Sequence, residues 1–191
     1  GAWAPSDFLR LMKHGYLPSG LPTFPAFPWG HYRSMTDQDA LALYAYLMSL
    51  APVQQEMRGN ELPFPLSMRS AQIVWRWLFM PDQVDTQDRG AYLAHALGHC
   101  GACHTPRNAL GGRQMDRLLE GAKDNQGKVL VPGLTASTGL GDWSADELTD
   151  FLIDGTKPDY DTVEGEMAMV IAHGTSKLTA EDRAALVAYL K

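Results

Sequence analysis

The chain has little of what most functional classes need. Two cysteines in 191 residues, Cys100 and Cys103, leave no second thiol pair for a zinc site. Sixteen lysines and arginines stand against 22 aspartates and glutamates, a net charge of −6. No basic stripe is present, which excludes nucleic acid as a partner. No run reaches 18 apolar residues, so nothing reads as a transmembrane helix. No signal-peptide pattern is visible, and strand signals are weak. What remains is ordinary globular composition, 45% apolar and 20% charged, with room for one domain or two small ones.

The two cysteines are spaced for one task. Cys100-Gly101-Ala102-Cys103-His104 spells C-x-x-C-H, the attachment site for a c-type haem. Two thiols three residues apart meet the two vinyl groups of one porphyrin, and the adjacent imidazole reaches the iron from one face. A redox dithiol does not need the trailing histidine and usually follows a strand. The sixth iron position is filled by methionine in electron-transfer haems and left open for O₂ or peroxide chemistry. Met167 and Met169 are both candidates, and periodicity alone does not choose between them. His173 is a rival. His95 and His99 lie four apart, as metal ligands can, but a packing or solvent role fits them better.

An internal repeat adds information. Gly1, Trp3 and Gly15 match Gly141, Trp143 and Gly155 at an offset of 140. Phe8, Leu11 and Met12 align with Leu148, Phe151 and Leu152, one apolar helix face. Pro5 opens the first copy's helix, Ser144 and Glu147 form a capping box in the second, and a glycine closes each. Met35 to Leu47 matches Leu178 to Leu190 at an offset of 143, with Thr36/Asp39 and Thr179/Asp182 as N-terminal signals. Carried to Met167, the offset of 140 lands on Phe27, which cannot ligate iron. The first copy lacks C-x-x-C-H, so residues 1–52 read as the back half of a domain. A fragment of a longer polypeptide is the expectation.

Helices are predicted near 5–14, 36–50, 67–80, 86–98, 144–154 and 179–190. The Gly-rich stretch from Arg107 to Gly141 is long for a loop, and a haem for it to pack against explains that. Residues 51–65 read as a linker. In the next helix Arg69, Gln72 and Arg76 make a narrow polar stripe, and Ile73, Val74, Trp75, Trp77, Leu78 and Phe79 cover the rest. So apolar a helix is expected to be buried, between domains or, as the less favoured reading, on a partner or membrane surface. His14 and His31 read as surface histidines. Acid is concentrated in residues 142–182 and reads as solvated surface; the sharper reading is a rim near Met167 that steers a basic redox partner.

Arg89-Gly90-Ala91-Tyr92-Leu93, Leu97 through Asn108, Gly111-Gly112, Leu140 through Ser144, Gly165 through Ala168 and the linker's Leu62-Pro63-Phe64-Pro65 resemble multi-haem cytochrome c subunits of bacterial dehydrogenases. Those dehydrogenases act on alcohols, aldehydes, sugars and N-heterocycles. The resemblance implies an all-α, class I cytochrome c fold: one complete haem domain (85–191), preceded by the C-terminal half of a second (1–52) and a linker with the Trp-rich helix (53–84). It implies Met167 rather than Met169 as sixth ligand, and the Pro132 carbonyl as acceptor for the His104 ring. The departure is Phe27, where the family commonly has methionine.

The cofactor-binding set is therefore Cys100, Cys103, His104, Met167 and Pro132, with Arg107 and Trp143 as propionate donors; His104 and Met167 hold the metal. One haem c is expected on this chain. The implied role is electron transfer from a dehydrogenase catalytic subunit or neighbouring haem to quinone or another cytochrome, rather than catalysis by this chain itself. A periplasmic location at the outer face of the inner membrane follows, with peripheral membrane association. The alternative is a dihaem enzyme with an open iron, processing thiosulfate or peroxide.

Overall fold

A computed structural model describes residues 2–56, 58–59, 61–62, 64, 67–80, 83–123 and 130–191. Gly1 of the repeat, Pro63 and Pro65 of the linker, and 124–129 of the long loop lie outside the described residues. The chain divides into two compact units, 1–83 and 84–191. The linker and the Trp-rich helix group with the first.

Among its described residues unit 1 has four helices: α1 (Pro5–His14), α2 (Trp29–Tyr32), α3 (Asp37–Ser49) and α4 (Ala71–Phe79). Pro5 starts α1, where its missing N–H costs nothing, and Gly15 ends it at φ 63°. Thr36 caps α3 by accepting from the Asp39 amide at 3.1 Å. α1 packs on α2 and α3. Phe8, Met12, Trp29, Met35 and Ala40 are buried, and the Phe8 ring meets Tyr44 at 5.6 Å. His31, expected at the surface, is buried in α2, whereas His14 is exposed.

α4 faces the opposite way from its pattern. Gln72 and Arg76 are buried, while Ile73, Val74, Trp77 and Leu78 are exposed, Trp77 at 82%. Amphipathicity fails here because the arginines have better partners inside. Arg76 donates to the carbonyls of Gly15, at 3.1 Å, and His14. Its guanidinium stacks 3.9 Å over Trp29 and 4.5 Å over Tyr16. Arg69 donates to the Pro22 carbonyl at 2.8 Å and lies 4.5 Å over Phe24. Delocalised guanidinium sheds water more readily than ammonium, and aromatic faces plus backbone carbonyls compensate it.

Unit 2 begins with α5 (Arg89–Ala91), which runs on as a π-helix, Tyr92–Leu97. α6 (Gly101–His104), a 3₁₀ turn (Met115–Arg117) and a two-residue antiparallel hairpin follow, β1 (Ala122–Lys123) with β2 (Leu130–Val131). Then come α7 (Ala145–Asp154), α8 (Gly165–His173), a second 3₁₀ turn (Thr175–Lys177) and α9 (Ala180–Leu190). The fold is all-α apart from that hairpin. The Ser144–Glu147 capping box is formed at both ends, 2.7 and 3.1 Å. Leu93, Ala94, Leu140, Leu148, Leu152, Leu186, Val187 and Leu190 make the core. α5 crosses α9 at Gly90, where a Cβ would stand 2.2 Å from the Ala185 carbonyl oxygen and 2.5 Å from Tyr189 Cβ. Only glycine lets the backbones approach that closely.

The repeat is visible in the backbone. After α1 and α7 each chain makes the same small hairpin: Tyr16 bridges Pro22, and Thr156 bridges Thr162. Thr23 then donates to the Gly15 carbonyl, and Val163 to that of Gly155, at 2.8 and 3.0 Å. Further on, Met35 N donates to Tyr32 O as Leu178 N does to Thr175 O, now at the offset of 143. The three-residue length difference therefore lies between Thr23 and Tyr32. There the nine-residue α8 is matched by the four-residue α2. Met167 stands in the first turn of α8, which is the part unit 1 lacks. Phe27 and Phe24 are its counterparts by the two offsets.

Candidate haem-attachment site

The helix that delivers the site ends by widening. Gly98 N donates to Leu93 O at 2.7 Å, and Cys100 N to Ala94 O at 2.9 Å. Each spans more than the four residues of an α-turn, a feature frequent at functional sites. His99 sits at φ 40°, past the helix end rather than on it, and turns the chain into α6. Cys103 N and His104 N both donate to Cys100 O, at 3.2 and 3.0 Å. One helical turn thus carries both thiols on one side, three residues apart. Neither forms a disulfide; Cys103 is exposed and Cys100 half-buried. Burial pushes the Cys100 thiol up to about 11. Cys103 is also raised, by burial first and then by the Glu166 carboxylate.

His104 is buried, and its Nδ1–H donates to the Pro132 carbonyl at 2.7 Å. That bond fixes the tautomer and leaves Nε2 with its lone pair for a metal. Burial holds the ring's pKa below the usual histidine value, which keeps the imidazole neutral as a ligand must be; the Pro132 bond works weakly the other way. The loop from Thr105 to Leu134 is tied to this turn. Gly121 N donates to His104 O at 2.8 Å, Leu119 N to Thr105 Oγ1 at 3.1 Å, and Leu134 N to Leu119 O at 2.8 Å. These bonds form a backbone cradle that sets Pro132 against the ring.

Met167 is half-buried in the first turn of α8, whereas Met169 is 59% exposed. Glu166, next to Met167, is near enough to Cys103 for its charge to act on the thiol. His173, the rival, is exposed at the far end of α8. Arg107 donates to the carbonyls of Gly111 and Ala102, at 3.0 and 3.1 Å, and so staples a loop to the C-x-x-C-H turn. Trp143 packs edge-on against Phe151 at 5.2 Å and borders the core.

Sequence reasoning did not single out three features. Arg113 pairs with Arg107 across an isolated bridge, and burial pulls its guanidinium down to about 10. Thr105 is 1% exposed. His95 is buried and shares a 2.6 Å hydrogen bond with the Tyr189 hydroxyl, an α5–α9 link beyond Gly90. The i, i+4 spacing of His95 and His99 left a packing or solvent role as the better reading, and it did not name Tyr189, 94 residues away, as the partner.

Two thiols on one turn beside an imidazole locked by a carbonyl are the donors of a covalently attached haem c. The comparison with known families agrees: residues 87–191 match the cytochrome c family, and the chain belongs to it. It is 37% identical over its whole length to a diheme cytochrome c-type protein of Cereibacter sphaeroides, of which it spans 66%. It is likewise 37% identical to the gluconate 2-dehydrogenase cytochrome c subunit of Pantoea cypripedii, spanning 47% of that protein. The cytochrome c subunit of the quinone alcohol dehydrogenase of Gluconobacter oxydans is 33% identical, with 43% spanned. The chain thus spans between about two fifths and two thirds of these relatives' lengths. Membership implies covalently bound haem c.

Proposed function

We propose that this chain is an electron-transfer module of a dehydrogenase's cytochrome c subunit, with one haem c held by unit 2. Cys100 and Cys103 hold the porphyrin, and His104 and Met167 are the axial ligands. Haem c, when bound, supplies a one-electron Fe(III)/Fe(II) couple. The protein's part is to hold that couple in one coordination state. The Pro132 carbonyl keeps His104 in one tautomer and orientation. Met167, a soft thioether, favours the reduced state and raises the potential. Arg107 and the Thr105–Leu134 cradle keep the attachment turn rigid, so little need rearrange when the charge changes.

The observation that carries this reading is the His104–Pro132 bond on a C-x-x-C-H turn, with Met167 half-buried while Met169 is exposed. Electrons are supplied by a dehydrogenase catalytic subunit and leave to quinone or another cytochrome, in the periplasm; the names of the relatives support the donor's class. The test is Met167→Ala. The variant is expected to keep its covalent haem, to lose potential by on the order of 0.1 V within the roughly 0.8 V that axial ligands command, and to bind CO when reduced. An unchanged spectrum without CO binding would remove Met167 from the assignment. CO binding by the unaltered reduced protein would favour the open-iron enzyme instead.

A further inference from the structure

α1 and α7 are one helix in two copies, and they carry opposite charge on the same face. Arg10, Lys13 and His14 of α1 stand three and four residues apart, on one side of the helix. At the offset of 140 these positions are Asp150, Ile153 and Asp154 in α7. The inward face keeps its character, with Phe8 and Met12 buried in one copy and Leu148 and Leu152 in the other. The cations are not needed to finish the helix. α7 ends at Gly155, φ 86°, as α1 ends at Gly15, φ 63°, and it has no base in its last turn. Complementing the helix dipole, the ordinary use for Lys13 and His14, is therefore dispensable in this scaffold.

In unit 1 this face lines a cavity of about 510 Å³, within the range of small-molecule sites. Arg33, just after α2, and Asp37, the first residue of α3, line it too. Asp37 pairs with Lys13 at 2.9 Å, and Lys13 also donates to the Met35 carbonyl, so that lysine is engaged within the fold. Arg10, Lys13 and Arg33 against Asp37 leave the lining at a formal +2 with His14 neutral, in a chain of net −6. At the offset of 143 Arg33 and Asp37 become Ser176 and Ala180, so the second copy carries none of these charges. We propose that the cavity binds a small organic dianion, its charged oxygens on the Arg10 and Arg33 guanidiniums and its carbon body against Leu9 and the side-chain stems. Guanidinium forks match phosphate and carboxylate oxygens alike, so the ligand class is a phosphate monoester or a dicarboxylate. The site belongs wholly to unit 1, uses no residue of the haem site and goes beyond the electron-transfer role.

Isothermal titration calorimetry of the haem-loaded protein at low ionic strength tests it, with inorganic phosphate and succinate as separate probes. One site per chain with a Kd below about 1 mM is expected for at least one probe, and the tighter of the two fixes the head group. Arg10→Gln, at an exposed position where the variant should fold, is expected to weaken binding at least about tenfold, as loss of a charge-assisted hydrogen bond does. Lys177→Gln removes the same charge from an exposed position in unit 2 and should leave the Kd within about twofold. A Kd above about 1 mM for both probes overturns the proposal. So does weakening by Arg10→Gln that does not exceed that by Lys177→Gln, since overall charge rather than a site would then govern binding.

Discussion

Units 1 and 2 share a helix, a hairpin and a C-terminal helix, yet the C-x-x-C-H turn and Met167 lie in unit 2. The same backbone bond forms at the Gly15 and Gly155 carbonyls of the two copies. What differs is the first turn of α8, present with Met167 in one copy and absent from the other, and what lies against the Gly15 turn. In unit 1 Arg76 fills that place, stacked on Trp29 and Tyr16. In unit 2 Val163 and Ile171 crowd Gly155 instead. One scaffold is thus finished in two ways, by a clamping helix in unit 1 and by the attachment turn and its cradle in unit 2.

The largest effect should come from breaking unit 2 alone. Gly90→Leu forces a side chain where a Cβ already falls 2.2 Å from the Ala185 carbonyl. A loss of about 3 kcal/mol is expected, at the upper end for overpacking. Thermal unfolding followed at the haem band should shift down, while unit 1, followed by nitration of Tyr16 beneath Arg76, stays protected. Loss of protection in both units together would mean that they unfold as one.

Arg76→Leu breaks the other half. It removes donors from the His14 and Gly15 carbonyls and the cation from two aromatic faces. Charged hydrogen bonds and cation–π contacts of this kind together contribute about 2 kcal/mol. Urea unfolding monitored at Trp29 should move accordingly, and the haem spectrum should not. If Arg76→Leu were neutral, the inward stripe of α4 would have no energetic meaning and the exposed apolar face would need another cause.

Acid should separate the units as well. Burial holds His95 below the ordinary histidine pKa, with Arg113 adding to the effect. A depressed histidine is neutral in the fold and protonates first in the unfolded chain. Its stabilisation is therefore complete above the unfolded value, about 6.5, and is lost as pH falls below it. Unit 2 should weaken between neutral pH and pH 5, and His95→Gln, which still reaches Tyr189, should flatten that limb. A limb unchanged by the substitution would point to another group.

Much of this was legible in the residues because it is local. C-x-x-C-H, the repeat, the capping residues and the closing glycines each act within a few positions, so their spacing is their structure. α8 was not legible: Glu164 and Gly165 give it no side-chain cap, and its apolar run has no polar rhythm. The direction of α4 was hidden for a different reason. Hydropathy counts arginine as solvent-facing, and only the carbonyls and rings of Gly15, Trp29 and Tyr16, distant in sequence, reverse that. The His95–Tyr189 bond joins the two ends of unit 2, where no pattern within either helix could announce it.

The smallest effect should also be the most informative about the repeat. Ser144 and Thr36 cap α7 and α3 by the same bond, each accepting from the third residue's amide at 3.1 Å. Replacing a serine or threonine cap by alanine costs about 1 kcal/mol. Ser144→Ala and Thr36→Ala should therefore each cost about that amount, and the Ser144 amide also donates to the Glu147 carboxylate at 2.7 Å. Chemical denaturation of the two single variants and the double variant measures both terms. Additive losses are expected for caps on separate units. A double variant that departs from the sum by more than about 0.5 kcal/mol would show energetic coupling between the copies, which the division of the chain at Gln83 does not predict.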